Sequence, residues 1–294
     1  MILEGERLAL EALGSGARLR QAVVCPSRLA GGRGRALLAG LRRLATPCHE
    51  ASVEVFDWLA DAASPQGVLL LAEHPAVPPG HLIASAPQGA LVLMPCGVQD
   101  PGNMGALVRL AEAGGAAGLI AAGGADPFGP KAARASAGSI LRLPVARDPA
   151  PASAARFASL LKSRGFLLAG AEARGGIDYR QGMPAGGLVL ALGGEGAGLP
   201  APLASMLDVR LTIPIAAPVE SLNVAAAAAV LIFAASPRAA ISSPRGPARR
   251  PEASPRPGGA SAPPREGPPP PARPGRGRSG ARSSRRGPSG REGA

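Results

Sequence analysis

Polar side chains stand between apolar segments at three places in the second half of the chain. They are Asn103, Arg109, Glu195, Ser221 and Asn223. Core packing alone requires no amide, guanidinium, carboxylate or hydroxyl at these places, so all five are candidates for contact with a ligand. The glycines around Glu195 would let a ligand approach the backbone while one carboxylate stays beside it.

Each of the three places also has a simpler structural explanation. Asp100-Pro101-Gly102 is typical of a turn, and Asn103 can cap the helix that follows it. Ser221 or Asn223 can cap the apolar helix VAAAAAVLIFAA. A dinucleotide-binding loop is not indicated at GGEGAG, because Leu199 lies where the third glycine of the pattern belongs and the loop lies late in the chain.

The elements that must position these side chains follow from the alternation of apolar runs and helical stretches. The helical stretches begin near Asn103, Pro130, Ala152 and Pro202. The apolar runs are ALVLMP, GLIAAGG, GFLLAGAEA, GLVLALGG and VRLTIPI. This rhythm predicts an α/β domain over residues 89–236 with a buried parallel sheet, and functional groups gather at the carboxyl ends of such strands.

Residues 1–75 predict a smaller α/β unit. A helix at about residues 3–13 precedes the apolar run RQAVVC, a second helix covers about residues 35–44, and QGVLLLAE forms a strand. The prolines and glycines of HPAVPPGHLIASAPQG predict a linker at residues 76–88 that holds no continuous element.

Most of the net charge of +12 lies at the C-terminal end. Residues 237–294 contain thirteen arginines and three glutamates, a charge of +10, which leaves +2 for the rest of the chain. Pro, Gly, Ser, Ala and Arg dominate this segment, so we expect a disordered tail. It is either a flexible arm that attracts RNA phosphate or an extension without a specific role.

Disulfide, metal and membrane functions are not indicated. The three cysteines lack CxxC spacing, and although Cys48 and His49 are adjacent we expect no metal site. Charged residues soon after Met1 predict no export signal, and the apolar run Val224–Ala235 is too short to cross a bilayer. We therefore expect a soluble, cytoplasmic protein that does not contact membranes.

The three loops, taken together and in this order, resemble motifs one, two and three of the SpoU branch of SPOUT (TrmH-like) methyltransferases. The first motif is DPGNMGALVRLAEAGG with DPFGPKAARASAG, the second is LVLALGGEGAGLP, and the third is LTIPIAAPVESLNVAAAAAVLIFAA. The resemblance covers residues 91–235. LEGERLALEAL and SPQGVLLLAE are similar to the small RNA-binding domain that precedes the catalytic domain in ribosomal RNA members.

This resemblance implies a ribose 2′-O-methyltransferase that uses S-adenosylmethionine on an α/β fold with a deep C-terminal trefoil knot. The family's cofactor contacts, which are largely backbone, carry over to Gly193, Ile213 and Leu222. The family's catalytic polar set matches Asn103, Arg109, Glu195, Ser221 and Asn223.

Within that set, the resemblance gives Arg109 the task of activating the 2′-hydroxyl. A guanidinium does not readily lose its proton, so we expect Arg109 to clamp the neighbouring phosphate and to stabilise the developing alkoxide. Asn103 and Glu195 would hold Arg109 and the ribose in place. Ser221 and Asn223 would position the substrate and the third loop.

The resemblance also implies a homodimer in which one subunit completes the site of the other. The smaller unit of residues 1–75, the front unit, would bind RNA. The resemblance favours 23S ribosomal RNA over tRNA, because tRNA-specific members generally lack that unit. Its candidate phosphate contacts are Arg18, Arg20, Arg28, Arg33, Arg35, Arg42 and Arg43, although a charged helix face is usually only solvated.

Two alternatives from other functional classes remain open at this point. The first is a catalytically idle RNA-binding protein of the same fold, against which the intact polar set argues. The second is a nucleotide-binding metabolic enzyme with an ordinary doubly wound sheet. That enzyme would need an early glycine-rich loop followed by an acidic residue, and the front of neither unit contains one.

Overall fold

The computed structural model describes residues 1–236. The predictions for the tail, residues 237–294, lie outside the described residues. Within residues 1–236, no helix is both long enough and apolar enough to cross a membrane.

The front of the chain forms a four-stranded sheet in the order β1-β4-β2-β3. Strands β1 and β2 run antiparallel to β4, and β3 runs parallel to β2. The strands are β1 (Ile2–Glu4), β2 (Leu19–Val24), β3 (Cys48–Glu50) and β4 (Val68–Ala72). The helices are α1 (Glu6–Gly14), α2 (Gly32–Arg43) and α3 (Val53–Leu59).

The first predicted helix, at residues 3–13, begins too early. Ile2, Leu3 and Glu4 pair with β4 instead, and Gly5 then turns the chain with a φ of 98°, a conformation that side chains rarely adopt. The prediction that residues 76–88 hold no continuous element is also wrong, because helix α4 (Pro79–Ser85) lies there. Its proline falls in the first turn, where no N–H is needed, and Leu82 and Ile83 are buried.

The second half of the chain forms a seven-stranded sheet in the order β7-β6-β5-β10-β8-β11-β9. Every neighbouring pair is parallel, so the predicted parallel sheet is confirmed. The strands are β5 (Leu91–Cys96), β6 (Gly118–Ala122), β7 (Val145–Asp148), β8 (Leu167–Ala171), β9 (Ile177–Asp178), β10 (Leu188–Gly193) and β11 (Val209–Thr212). The five apolar runs correspond to β5, β6, β8, β10 and β11, whereas the short edge strands β7 and β9 were not predicted.

Helices cover both faces of this sheet. They are α5 (Pro101–Ala113), α6 (Pro130–Ala135), α7 (Ser153–Lys162), α8 (Tyr179–Gly182), α9 (Ala201–Ala204) and α10 (Val224–Ala235). Leu93 of β5 belongs to the core that contains residues of α5 and α10, and Met94 belongs to the core that contains residues of α4 and α7. The helix predicted near Pro202 is only a single turn, α9.

Two arginines of the second half bind carboxylates of the front unit. Arg134 contacts the Glu4 carboxylate at 2.5 Å and Asp61 at 2.6 Å. Arg142 contacts Glu11 at 2.5 Å and Glu112, on its own half of the chain, at 2.7 Å. The Glu4 side chain is only 2% exposed and also accepts hydrogen bonds from backbone N–H groups of the segment after α3. These ion pairs fix the front sheet against the larger one.

Candidate active site

Three of the five predicted polar residues meet at the carboxyl edge of the large sheet. The Asn103 amide nitrogen donates a short hydrogen bond to the Glu195 carboxylate, and the Asn223 amide nitrogen donates to the Asn103 amide oxygen at 3.1 Å. Both ends of the Asn103 amide are therefore engaged, which fixes its orientation. We call Asn103, Glu195 and Asn223 the amide cluster.

The N-terminus of α5 brings Asn103 to this cluster. Asp100, rather than Asn103, caps the helix, since the Asn103 backbone N–H donates to the Asp100 carboxylate at 2.8 Å. That capping prediction was wrong, because Pro101 already belongs to the helix and the cap must precede it. The second Asp100 oxygen accepts a hydrogen bond from Lys131 at 3.1 Å. The Asn103 N–H and the Lys131 ammonium hold the pKa of Asp100 below its ordinary value.

Asn223 contributes to both structure and site. Its side-chain oxygen caps α10 by accepting from Ala225 N–H at 2.9 Å and Ala226 N–H at 3.4 Å, while its nitrogen binds Asn103. The structural explanation of this residue, a helix cap, is therefore confirmed, and the same side chain also contacts Asn103. The apolar helix α10 anchors one end of the amide cluster.

A cavity of about 340 Å³ opens beside the amide cluster. It is lined by the three predicted cofactor residues, Gly193, Ile213 and Leu222, and by Glu195 and Ser221. The remaining walls are mostly apolar or glycine: Ala171, Glu172, Ala173, Leu192, Gly194, Gly196, Gly198, Leu211, Ile215, Val224, Ala227 and Leu231. Among these lining residues, all within 1–236, the charged ones are the carboxylates Glu172 and Glu195, and none is basic.

The loop that follows β10 passes very close to its neighbours. A Cβ on Gly193 would lie 2.3 Å from the carbonyl carbon of Gly198, and a Cβ on Gly194 would lie 2.4 Å from the carbonyl oxygen of Gly97. No side chain fits at either position without backbone movement. The floor of the cavity therefore presents bare main chain, which favours a ligand recognised through backbone groups.

Arg109 stands apart from the other four predicted polar residues. It is exposed on α5, does not line the cavity, and makes no hydrogen bond or ion pair with any residue of the described chain, 1–236. Six residues separate it from Asn103, which places the two side chains roughly 120° apart around the helix. Within this chain Asn103 and Glu195 therefore make no contact with Arg109, and the prediction that they hold it stays a prediction.

Two charged residues near the site were missed from the sequence. Glu172 directly follows β8 and lines the cavity, held by Arg210. Lys131 lies at the start of α6 and binds Asp100. The position of Glu172 after an apolar run could have identified it, because the same criterion identified Glu195. Lys131 gave no such signal, since only the fold brings α6 to the start of α5.

The seven arginines predicted as phosphate contacts in the front unit differ in availability. Four are engaged within the chain: Arg28 binds Asp57, Arg18 and Arg20 bind Glu73, and Arg35 donates to the Ala30 carbonyl. Three on α2 are exposed and have no hydrogen-bond or ion-pair partner within residues 1–236: Arg33, Arg42 and Arg43. The available positive charge among these candidates is therefore concentrated on α2, while Arg7 of α1 is also exposed and has no hydrogen-bond or ion-pair partner within residues 1–236.

No cluster of three or more His, Cys, Asp or Glu side chains suited to a metal ion occurs in the part of the chain that the structure describes. Cys25, Cys48 and Cys96 are free thiols. Burial raises the pKa of the Cys96 thiol to about 12, so it stays protonated at neutral pH.

The chain is similar to known RNA methyltransferases in both sequence and structure. Residues 90–233 match the SpoU rRNA methylase family. The Bacillus subtilis 23S rRNA (guanosine(2553)-2′-O)-methyltransferase RlmP is 31% identical over 238 residues, covering 79% of this chain and 86% of the relative. The SpoU methyltransferase AviRb from Streptomyces viridochromogenes, solved with AdoMet, superposes with a TM-score of 0.69 at 28% identity over 80% of this chain and 89% of its own. An rRNA methyltransferase from Sinorhizobium meliloti gives a TM-score of 0.66 at 30% identity over 80% and 85%.

Proposed function

The chain belongs to the SpoU rRNA methylase family and is an S-adenosylmethionine-dependent RNA ribose 2′-O-methyltransferase, and we propose that its substrate is one ribose of 23S ribosomal RNA. The B. subtilis relative, which is named for 23S rRNA, is similar over 79% of this chain, which is more than the large sheet and its helices occupy. The single observation that carries the assignment of the site is the amide cluster beside a cavity floored by bare main chain.

The cavity suits S-adenosylmethionine. An adenosine needs apolar walls and backbone partners, which Gly193, Ile213 and Leu222 would supply. A sulfonium cation is disfavoured by basic side chains, and the lining has none, while Glu172 and Glu195 are both acidic. When bound, this cofactor supplies an electrophilic methyl group, so the protein must mainly align the ribose hydroxyl with it.

The amide cluster holds the ribose in this proposal. Glu195 and Asn223 fix the Asn103 amide by hydrogen bonds from either side, which leaves a rigid polar surface at the cavity mouth. The Ser221 hydroxyl lines the cavity and has no hydrogen-bond partner within residues 1–236, so it is available to the substrate. A preorganised surface of this kind lowers the cost of orienting the nucleophile.

Arg109 would complete the site of a second subunit. Its guanidinium has no partner within the described chain and lies on α5, which packs against α10. Helix α10 carries no charged residue, and its Phe233 is 45% exposed, so the α10 surface suits burial in a homodimer. In that dimer Arg109 would bind the phosphate beside the ribose and stabilise the developing alkoxide while keeping its own proton.

The remaining parts of the proposal concern the large elements. We assign a deep knot to the loops around the cavity. Two features support this assignment: strand β10 lies between β5 and β8 in the sheet, and α10, which follows β11 in the chain, packs on α5. Residues 1–75 would bind RNA through the free arginines of α2, residues 76–88 would connect, and residues 89–236 would carry the reaction. Ribosomal RNA as substrate supports a cytoplasmic location.

Transfer of labelled methyl groups from S-adenosylmethionine to unmodified 23S rRNA and to tRNA tests this function. We expect label in a single 2′-O-methylated nucleotide of 23S rRNA and its loss with Arg109→Ala. Label only in tRNA would replace the substrate, and cofactor binding without transfer to any RNA would point to an idle RNA-binding protein.

A further inference from the structure

Lys131 is joined to the amide cluster through one carboxylate. Its ammonium donates to one oxygen of Asp100 at 3.1 Å, and the other oxygen accepts the backbone N–H of Asn103 at 2.8 Å. The Lys131 side chain passes over the backbone of Gly102, where an added Cβ would lie 3.9 Å from its Cε. A positive charge therefore stands at the first turn of the helix that carries Asn103.

The contact between Lys131 and Asp100 can be exchanged for another anion. The Lys131 side chain is 59% exposed and the Asp100 side chain 43% exposed. Exposed ion pairs of this kind contribute only about 0–1 kcal/mol. The Lys131 ammonium has three donors and Asp100 engages one of them, so two remain for a further acceptor.

Lys162, the other lysine of the chain, has a structural role that can be compared with that of Lys131. Lys162 donates to the Met206 carbonyl at 2.9 Å and to Asp208 at 2.7 Å, which ties α7 to the segment before β11. Lys131 connects α6 to α5, but those helices already pack closely through Gly105 and Ala132. The fold does not need the Lys131 charge for that contact.

We propose that Lys131 binds a phosphate of the RNA nucleotide whose ribose enters the amide cluster. This inference rests on the proposed function, because it assigns a substrate contact at the same site. Every ribose in RNA is flanked by phosphates, so a ribose held by Asn103 brings an anion close to the start of α5. The ammonium would move from the Asp100 carboxylate to that phosphate and act as a point charge.

Steady-state methyl transfer by the full chain on unmodified 23S rRNA tests the proposal over a series of salt concentrations. With Lys131→Gln we expect the KM for RNA to rise about five- to tenfold. The slope of log KM against log salt concentration should fall by about one, the contribution of a single phosphate contact. The kcat at saturating RNA and the Kd for S-adenosylmethionine should stay within about twofold. Lys131→Arg should restore most of the RNA affinity.

Two further variants serve as controls. Arg156→Gln removes a cation of comparable exposure, 67% against 59% for Lys131, from α7 on the opposite face of the sheet, where Arg156 is paired with Asp148, and should leave the KM for RNA unchanged. Asp100→Asn keeps an oxygen acceptor for the Asn103 N–H but frees Lys131, so the KM for RNA should stay the same or fall. If the ion pair between Lys131 and Asp100 were purely structural, Asp100→Asn and Lys131→Gln would change the KM for RNA in the same direction.

The proposal is overturned if Lys131→Gln leaves the KM and the salt slope at wild-type values, or if it lowers kcat and thermal stability instead. It is also overturned if Arg156→Gln has the same effect on KM. If the wild-type chain methylates no RNA, the proposed function fails. The Kd of 23S rRNA for the wild type and for Lys131→Gln then decides the role of Lys131 separately.

Discussion

One side-chain amide, that of Asn223, both caps α10 and holds Asn103, and two substitutions separate these tasks. Asn223→Asp keeps the capping oxygen but loses the donor to Asn103 and adds charge beside Glu195. We expect unchanged thermal stability and methyl transfer reduced on the order of a hundredfold. Asn223→Ala should lose similar activity and also about 1 kcal/mol of stability. Equal activity of Asn223→Asp and wild type would show that the amide cluster is not needed for alignment.

At the residue scale, the sequence predicted the polar groups better than their partners. Asn103, Glu195 and Asn223 were found because each follows an apolar run or precedes an apolar helix, and strand ends meet at one edge of a parallel sheet. Arg109 and Lys131 show the limit of this criterion. Which cation approaches the cluster depends on how α5 and α6 pack and, in the proposed dimer, on what the second subunit contributes, and local spacing in the sequence indicates neither.

Helices α5 and α6 approach each other closely at Gly105. A Cβ there would lie 2.2 Å from the Ala132 carbonyl oxygen and 2.6 Å from the Ala135 Cβ. Gly105→Ala should therefore destabilise the protein by about 1–3 kcal/mol, measured by urea unfolding. Gly14→Ala is the matched helical control: nothing lies within 4 Å of its added Cβ, so stability should be unchanged or up to about 1 kcal/mol higher. Similar results for both variants would mean that α5 and α6 can separate easily.

Asp208 connects three elements through its carboxylate. Lys162 of α7 donates to it at 2.7 Å and the Leu168 N–H of β8 at 2.8 Å. Burial raises the pKa of Asp208, but these two donors outweigh it and leave the pKa below its ordinary value of 3.8. A lowered folded-state pKa means that the stabilisation is fully present above the unfolded value and is lost as the pH falls through the folded value.

From this sign we expect Asp208→Asn to lower the free energy of unfolding by about 1–2 kcal/mol at pH 7. The difference from wild type should shrink as the pH falls below 3.8, as measured by urea unfolding at a series of pH values. A difference that stays constant down to pH 3 would show that the ionised carboxylate is not what connects α7, β8 and β11.

At the element scale, long buried strands were predictable and short or edge elements were not. The five apolar runs became strands because both faces of a parallel sheet are covered. Strand β7 reads VARD and β9 has two residues, so neither gives a buried pattern. The three residues of β3 are all exposed. Helix α4 was missed because its two flanking prolines indicate a break, although Leu82 and Ile83 give it a buried face.

At the scale of the assembly, the free guanidinium of Arg109 leads to a complementation test. Arg109→Ala and Glu195→Ala should each be inactive as homodimers. After unfolding and refolding as an equal mixture, half the dimers are mixed, and each contains one site with both residues intact. The expected activity is about a quarter of wild type. No recovery, with mixed dimers shown to be present, would mean that Arg109 acts within its own chain.

At the scale of the whole molecule, composition and changes of pattern along the chain predicted a front unit, a catalytic unit and a tail, and the structure gives residues 1–236 two separate sheets. The ion pairs between the first two units did not follow, because Glu4 and Arg134 are 130 residues apart and each looks like an ordinary surface charge in sequence. The Glu4 carboxylate is buried only because Arg134 and two backbone N–H groups accompany it.

These ion pairs limit how the protein could be re-engineered. A chimera that replaced the front sheet with that of a relative, to redirect the enzyme to another RNA, would leave Arg134 and Arg142 facing a foreign surface. The incoming unit would need carboxylates that match Glu4, Glu11 and Asp61 in position. With the front sheet as the proposed RNA-binding unit, one set of ion pairs therefore serves both the choice of target and the stability of the fold, and an exchanged front sheet would need to reproduce them.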